Sequence, residues 1–169
     1  MGSEMCIRDS LDADPGHYVD QQGQSGQEMC PPGTYNPNTG STSDSDCLTT
    51  SPGHYSPAAG QANQTPCPEG TYQPNTNSTA CVDAGEGWYA NGTGNTAATP
   101  CPSGTYNPNP TSSSAADCIV VEPGYYAPMV GNSEPVPCST GTYQPLAGQA
   151  SCLEADPGYF VQSLSLIHI

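Results

Sequence analysis

The groups that could do chemistry in this chain are nine cysteines, three histidines and sixteen carboxylates, set against one basic side chain, Arg8. Cysteine serves as nucleophile, metal ligand or half of a disulfide, and its spacing separates these uses. No Cys-x-x-Cys and no neighbouring His pair is present, so nothing assembles a tetrahedral zinc site. Gly-x-Ser-x-Gly, His-Glu-x-x-His and any placed acid–base pair are missing too, and the expectation is that the chain is not an enzyme. What remains for the cysteines is cross-linking, the device by which small secreted modules replace a large core.

The termini are set aside first. The codons ATG TGT ATA AGA GAC AG– translate to Met5-Cys6-Ile7-Arg8-Asp9-Ser10, and their reverse complement translates to Leu164-Ser165-Leu166-Ile167-His168-Ile169. One short DNA element read in both directions accounts for both ends. It resembles the transposon end used to prepare sequencing libraries, so residues 1–10 and 164–169 are read as adapter scar. Eight cysteines then remain, with His17 and His54 as the genuine imidazoles and no Lys or Arg over residues 11–163.

That composition, poor in large apolar residues and rich in Pro and Gly, by itself predicts disorder. Regular cysteines argue the other way. The uniform negative charge excludes the basic surface that nucleic acid or anionic lipid requires. The tail Leu164–Ile169 is far too short to span a membrane, so no membrane insertion is expected within this chain.

A tandem repeat governs the rest. A Gly-aromatic step recurs at Gly16-His17-Tyr18, Gly53-His54-Tyr55, Gly87-Trp88-Tyr89, Gly124-Tyr125-Tyr126 and Gly158-Tyr159-Phe160, with glycine spacings of 37, 34, 37 and 34. Seven residues after the first four glycines stand Gly23, Gly60, Gly94 and Gly131, and fourteen after them Cys30, Cys67, Cys101 and Cys138. The next cysteine follows after 17 or 14 residues in alternation: Cys47, Cys81, Cys118 and Cys152. The organisation is therefore repeat 1 over 11–47, repeat 2 over 48–81, repeat 3 over 82–118, repeat 4 over 119–152 and the start of a fifth over 153–163. The array is expected to be a piece of a longer protein.

Pro-Gly before an aromatic reads as a tight turn feeding a short extended stretch. Gly-Thr-Tyr-x-Pro places a β-forming pair between turn residues, with Pro limiting the ladder. No helical periodicity is present. The fold class expected is small and disulfide-rich, mostly irregular with two or three short β-hairpins per module, in an elongated tandem-repeat rod.

Two cysteine pairings are economical. One closes each Gly-Thr-Tyr loop (Cys30–Cys47, Cys67–Cys81, Cys101–Cys118, Cys138–Cys152), and the other crosses the constant segments, as in Cys47–Cys67. The first leaves no cysteine over and treats the three-residue length difference as a loop insertion, so it is favoured. Cys67-Pro-Glu-Gly-Thr-Tyr-Gln-Pro, closed by Cys81, resembles the first loop of tumour-necrosis-factor-receptor cysteine-rich modules and is similar to ephrin-receptor-like cysteine-rich repeats. The resemblance recurs in the Cys–Cys half of all four copies. It implies the same loop pairing and an extracellular, cell-surface setting.

His17 and His54 share a repeat position with Trp88, Tyr125 and Tyr159, so the position asks for a flat ring rather than a base. Tyr35, Tyr72, Tyr106 and Tyr143 follow Gly-Thr in every copy and are expected to be structural aromatics over the disulfides, as are Tyr18, Tyr55, Tyr89 and Tyr126 in the other half-repeat. Asp12, Asp14, Asp83, Glu86, Glu122, Glu154 and Asp156 gather near the junctions, where calcium would stiffen a rod. No Asp-x-Asp-x-Asp-Gly loop accompanies them, and no cofactor is expected. Asn63, Asn77 and Asn91 head glycosylation sequons. The function expected is an extended stalk or adhesion scaffold outside the cell. The alternative is a set of receptor-like modules that bind a protein or glycan at the cell surface.

Overall fold

The computed structural model describes residues 12–21 and 26–156, together with the backbone of two strands beyond them. It divides into two compact units, one taking the chain up to Cys67 with Gln73–Cys81, the other Pro68–Tyr72 and the chain from Val82 onwards. Each is built from antiparallel two-stranded hairpins, with no α-helix among the described residues. The first unit holds β1 (His17–Tyr18) with β2 (Glu28–Met29), β3 (Thr34–Tyr35) with β4 (Leu48–Thr49), and β5 (His54–Tyr55) with β6 (Thr65–Pro66). The second holds β7 (Thr71–Tyr72) with β8 (Val82–Asp83), β9 (Trp88–Tyr89) with β10 (Thr99–Pro100), and β11 (Thr105–Tyr106) with β12 (Ile119–Val120). It continues with β13 (Tyr125–Tyr126) and β14 (Val136–Pro137), then β15 (Thr142–Tyr143) and β16 (Leu153–Glu154).

Each 34- or 37-residue repeat thus contains two hairpins, and both begin on the same turn. The N–H after the glycine donates to the carbonyl two residues before it: His17 to Asp14, Thr34 to Pro31, Trp88 to Gly85, Thr105 to Pro102. The glycines sit at positive φ, +85° at Gly16 and Gly33 and +80° at Gly104, which makes these type II turns. The structural unit is therefore a half-repeat, Gly-x-Tyr, starting at Gly16, Gly33, Gly53, Gly70, Gly87, Gly104, Gly124 and Gly141. Boundaries drawn at the second cysteine of each pair cut through hairpins, since Thr34–Tyr35 pairs with Leu48–Thr49 across position 47.

One hydrogen-bond register runs through both units. The turn glycine donates its N–H to the carbonyl of the residue after the tyrosine in the following half-repeat. In the first unit these bonds are Gly16 to Asn36, Gly33 to Ser56 and Gly53 to Gln73, at 2.7, 2.9 and 2.7 Å. In the second they are Gly70 to Ala90, Gly87 to Asn107, Gly104 to Ala127 and Gly124 to Gln144, at 2.7–3.0 Å. The same glycine's carbonyl closes its own hairpin, accepting from Cys30, Thr50, Cys67, Ala84, Cys101, Val121, Cys138 or Ala155. The longest reach in sequence among these bonds, Gly60 to Cys30 and Gly131 to Cys101, is 30 residues.

The interior is thin. Its buried apolar residues are Ala13, Cys30 and Cys67 in the first unit and Ala84, Ala90, Cys101, Val121 and Ala127 in the second. They line two positions per half-repeat, three residues before and three after the turn glycine. Polar residues share those positions: Asn36, Thr50, Ser56 and Gln73, then Asn107 and Gln144. No Leu, Ile, Phe or Trp is buried among the described residues, because hairpins held at backbone hydrogen-bond distance leave no room between them.

The stretch set aside as adapter-derived also pairs. β17 (Tyr159–Gln162) lies against β18 (Ser165–His168) over four residue pairs. The register is foreign to the repeat: Tyr159 pairs with His168, nine residues on, whereas Tyr125 pairs with Pro137, twelve on. A short run of β-forming residues meeting another is sufficient for this.

Candidate functional site

The four sulfur pairs are Cys30–Cys47, Cys67–Cys81, Cys101–Cys118 and Cys138–Cys152, with Cα–Cα distances of 5.6, 5.7, 5.6 and 5.8 Å. The first cysteine of a pair follows the second strand of one hairpin, and the second cysteine precedes the second strand of the next. The Cys30–Cys47 bond thereby ties β1–β2 to β3–β4, and Cys101–Cys118 ties β9–β10 to β11–β12. Cys30, Cys67 and Cys101 are fully buried, and their partners are half-buried.

Loop length goes with the identity of a buried amide. The residue after the tyrosine is Asn36 or Asn107 where the cysteines stand 17 apart, and Gln73 or Gln144 where they stand 14 apart. In all four the amide oxygen accepts from the N–H two residues on: Asn38, Asn75, Asn109 and Leu146. The nitrogens differ. Asn36 and Asn107 donate back to the carbonyls of His17 and Trp88, at 3.2 and 3.0 Å. Gln73 and Gln144, one methylene longer, reach across the loop to Ala80 and Ser151, at 2.7 and 2.8 Å. The three extra residues of the long loops form a 3₁₀ turn, Asp44–Asp46 or Ala115–Asp117, closed by a capping box from Ser43 and Asp46 or from Ser114 and Asp117.

The threonine of Gly-Thr-Tyr has a comparable role. The hydroxyls of Thr34, Thr71, Thr105 and Thr142 donate to the carbonyls of Pro31, Pro68, Pro102 and Ser139, at 2.7–2.8 Å. These are the carbonyls that already accept the threonine's own N–H. In the other half-repeat the imidazole Nδ1 of His17 and His54 meets the carbonyls of Pro15 and Pro52, at 3.1 and 3.3 Å. A carbonyl only accepts, so Nδ1 carries the proton in that bond. Neither imidazole is placed as a base by this contact.

Two of the flat rings, His17 and Trp88, lie against Gly60 and Gly131, each seven residues after a later turn glycine. A Cβ built on Gly60 would lie 3.4 Å from Cε1 of His17 and 3.3 Å from Sδ of Met29. One built on Gly131 would lie 3.2 Å from Nε1 of Trp88. The ring lies on the bare backbone of a later half-repeat. Gly23 falls outside the described residues.

Tyr35, Tyr72, Tyr106 and Tyr143 are half-buried, and each stands directly opposite an exposed aliphatic residue: Leu48, Val82, Ile119 and Leu153. Directly opposed residues share a face of the hairpin, so every cysteine-bearing hairpin presents a tyrosine–aliphatic rung. Tyr18, Tyr55 and Tyr89 face Glu28, Thr65 and Thr99 instead, and Tyr126 faces Val136. Partial burial first, then the charges of Asp44, Glu28 and Asp20, push the Tyr18 phenol above its ordinary value.

The junction carboxylates Asp12, Asp14, Asp83, Glu86, Glu122, Glu154 and Asp156 are all exposed. Among the described residues no three His, Cys, Asp or Glu side chains converge on a point that could hold a metal ion. Asp14 is engaged by Gln27, which donates to its carboxylate at 2.9 Å. No helix of the described residues is long and apolar enough to cross a membrane. No family model matches the chain, and no curated protein matches it.

Proposed function

We propose that the chain acts as an extended stalk or adhesion scaffold of a secreted or cell-surface cysteine-rich repeat protein, and that it is not an enzyme. The observation that carries this reading is the repeated register, in which each turn glycine bonds to the next half-repeat in both units. An array held by neighbour contacts grows in one dimension, and its stability is a sum of unit and interface terms. The four disulfides support an oxidising compartment outside the cytosol. The likeness of the Cys-Pro-x-Gly-Thr-Tyr loops to ephrin-receptor-like repeats supports the same setting. Small-angle scattering tests the stalk: a compact domain of this length has a radius of gyration of about 15 Å, and the proposal requires a value well above that. A compact globule would overturn it.

The tyrosine–aliphatic rungs favour a second reading, receptor-like modules that bind a protein or glycan. Leu48, Val82, Ile119 and Leu153 are 43–50 % exposed, and an unpaired stalk needs none of them on its surface. A glycan and surface-protein binding screen that returned no hit would remove this reading and leave the stalk standing.

A further inference from the structure

Asparagine does several jobs in this chain, and the structure separates them by what the amide nitrogen is doing. Asn36 and Asn107 are buried and donate Nδ2 to backbone carbonyls. Asn95 and Asn132 are partly exposed, and each donates Nδ2 to the carbonyl three residues before it. None of these four is followed at the second position by Ser or Thr. Four others are; Pro110 takes Asn109-Pro110-Thr111 out of the sequon, and the remaining three, Asn63, Asn77 and Asn91, are all exposed, and none donates its amide to another described residue. Availability of that nitrogen is what a modification at Nδ2 requires.

The three are not equivalent. Asn63 lies in the loop joining β5 to β6, and Asn91 in the loop joining β9 to β10, both outside the disulfide loops. Gly92, beside Asn91, has open space around its Cα. The hydroxyl-bearing residues two positions on, Thr65 and Thr93, are exposed as well. Asn77 is built into the stack. It sits inside the Cys67–Cys81 loop at φ +54°, and its N–H donates to Thr50. Its neighbour Ser78 donates to the Thr50 hydroxyl at 2.8 Å, and its own side-chain oxygen lies 2.7 Å from a Cβ built on Gly33.

We propose that Asn63 and Asn91 are acceptors of N-linked glycan and that Asn77 is not. The reaction forms a bond from Nδ2 to the anomeric carbon of an oligosaccharide carried on a lipid diphosphate by the secretory membrane. The anomeric C–O bond breaks, the diphosphate leaves with the bonding pair, and the amide gives up one proton. The inference rests on the extracellular reading above, because the donor exists only on that route. Sugar on these two exposed side chains would project from loops outside the disulfide-closed segments.

The test supplies the route, so that its failure is distinct from failure of the stalk. The full chain is expressed behind a secretion signal in animal cells, and the secreted protein is treated with peptide N-glycosidase in heavy-oxygen water. Pepsin peptides are then read by mass spectrometry. Labelled Asp at positions 63 and 91, unmodified Asn77, and loss of one glycan-sized gel step in each of Thr65→Ala and Thr93→Ala are expected. Absence of label at either position overturns the assignment there, and label at Asn77 overturns the structural discrimination. Should secretion fail, translation into microsomes reads the same gel steps.

Discussion

A methyl group on Gly87 would stand 2.1 Å from the carbonyl oxygen of Gly131, in a residue already held at φ +83°. The same substitution at Gly92, φ +72°, meets nothing within 4 Å. The two positions separate the backbone cost of a left-handed residue from the steric cost of prising two half-repeats apart. Gly92→Ala should lose about 1–2 kcal/mol, the penalty of the left-handed region alone. Gly87→Ala should lose distinctly more, because the obstructing atom is backbone and has nowhere to go. Chemical denaturation of the two variants measures the difference. Equal losses would mean that the close approach does not limit the packing. The need for Gly at each turn is legible from Pro-Gly-aromatic alone. The obstruction is not, since the carbonyl in question belongs to a residue 44 positions away.

The half-repeat shows what the sequence conveys and what it hides at the scale of elements. Turn, strand and loop insertion are all readable from Gly-aromatic and Gly-Thr-Tyr, and so is the loop pairing of the cysteines. That the two motifs are one unit is obscured by their different residues. His, Trp or Tyr fills the place after the glycine in one, with His17 and Trp88 lying on a later glycine, while Thr fills it in the other and bonds back to the turn. Asn against Gln after the tyrosine is visible beside the 17- and 14-residue loops, but its meaning lies in where each amide can reach. The loop code is testable as a cycle. Asn107→Gln alone, and deletion of Ala115–Asp117 alone, should each destabilise the Cys101–Cys118 hairpin, the first by leaving the Trp88 carbonyl without its donor. The two changes together rebuild the short loop, and their losses should cancel in part, with a coupling of about 0.5–3 kcal/mol in thermal or denaturant unfolding. Strict additivity would show that amide and loop length are independent.

At the scale of the molecule, the interior is too slight to hold the chain unaided. Among the described residues its buried apolar side chains are Ala, Cys and Val, and ordering a chain costs about 1–2 kcal/mol of backbone entropy per residue. Loops the size of these disulfide loops each contribute about 3 kcal/mol by restricting the unfolded chain, so the cross-links carry a share that a buried core carries elsewhere. Against them stands a formal net charge of −15. Residues 11–163 hold fourteen carboxylates with no Lys or Arg to form an ion pair, so added salt has only repulsion to screen among them. The screening length falls from about 30 Å at 0.01 M salt to about 8 Å at 0.15 M, from spanning several hairpins to spanning one or two. The melting temperature of the oxidised chain should therefore rise over that interval and flatten beyond it. A fall on adding salt would reveal attractive charge contacts that residues 11–163 have no Lys or Arg to make. A flat response would mean that the carboxylates already stand far enough apart in water to ignore one another.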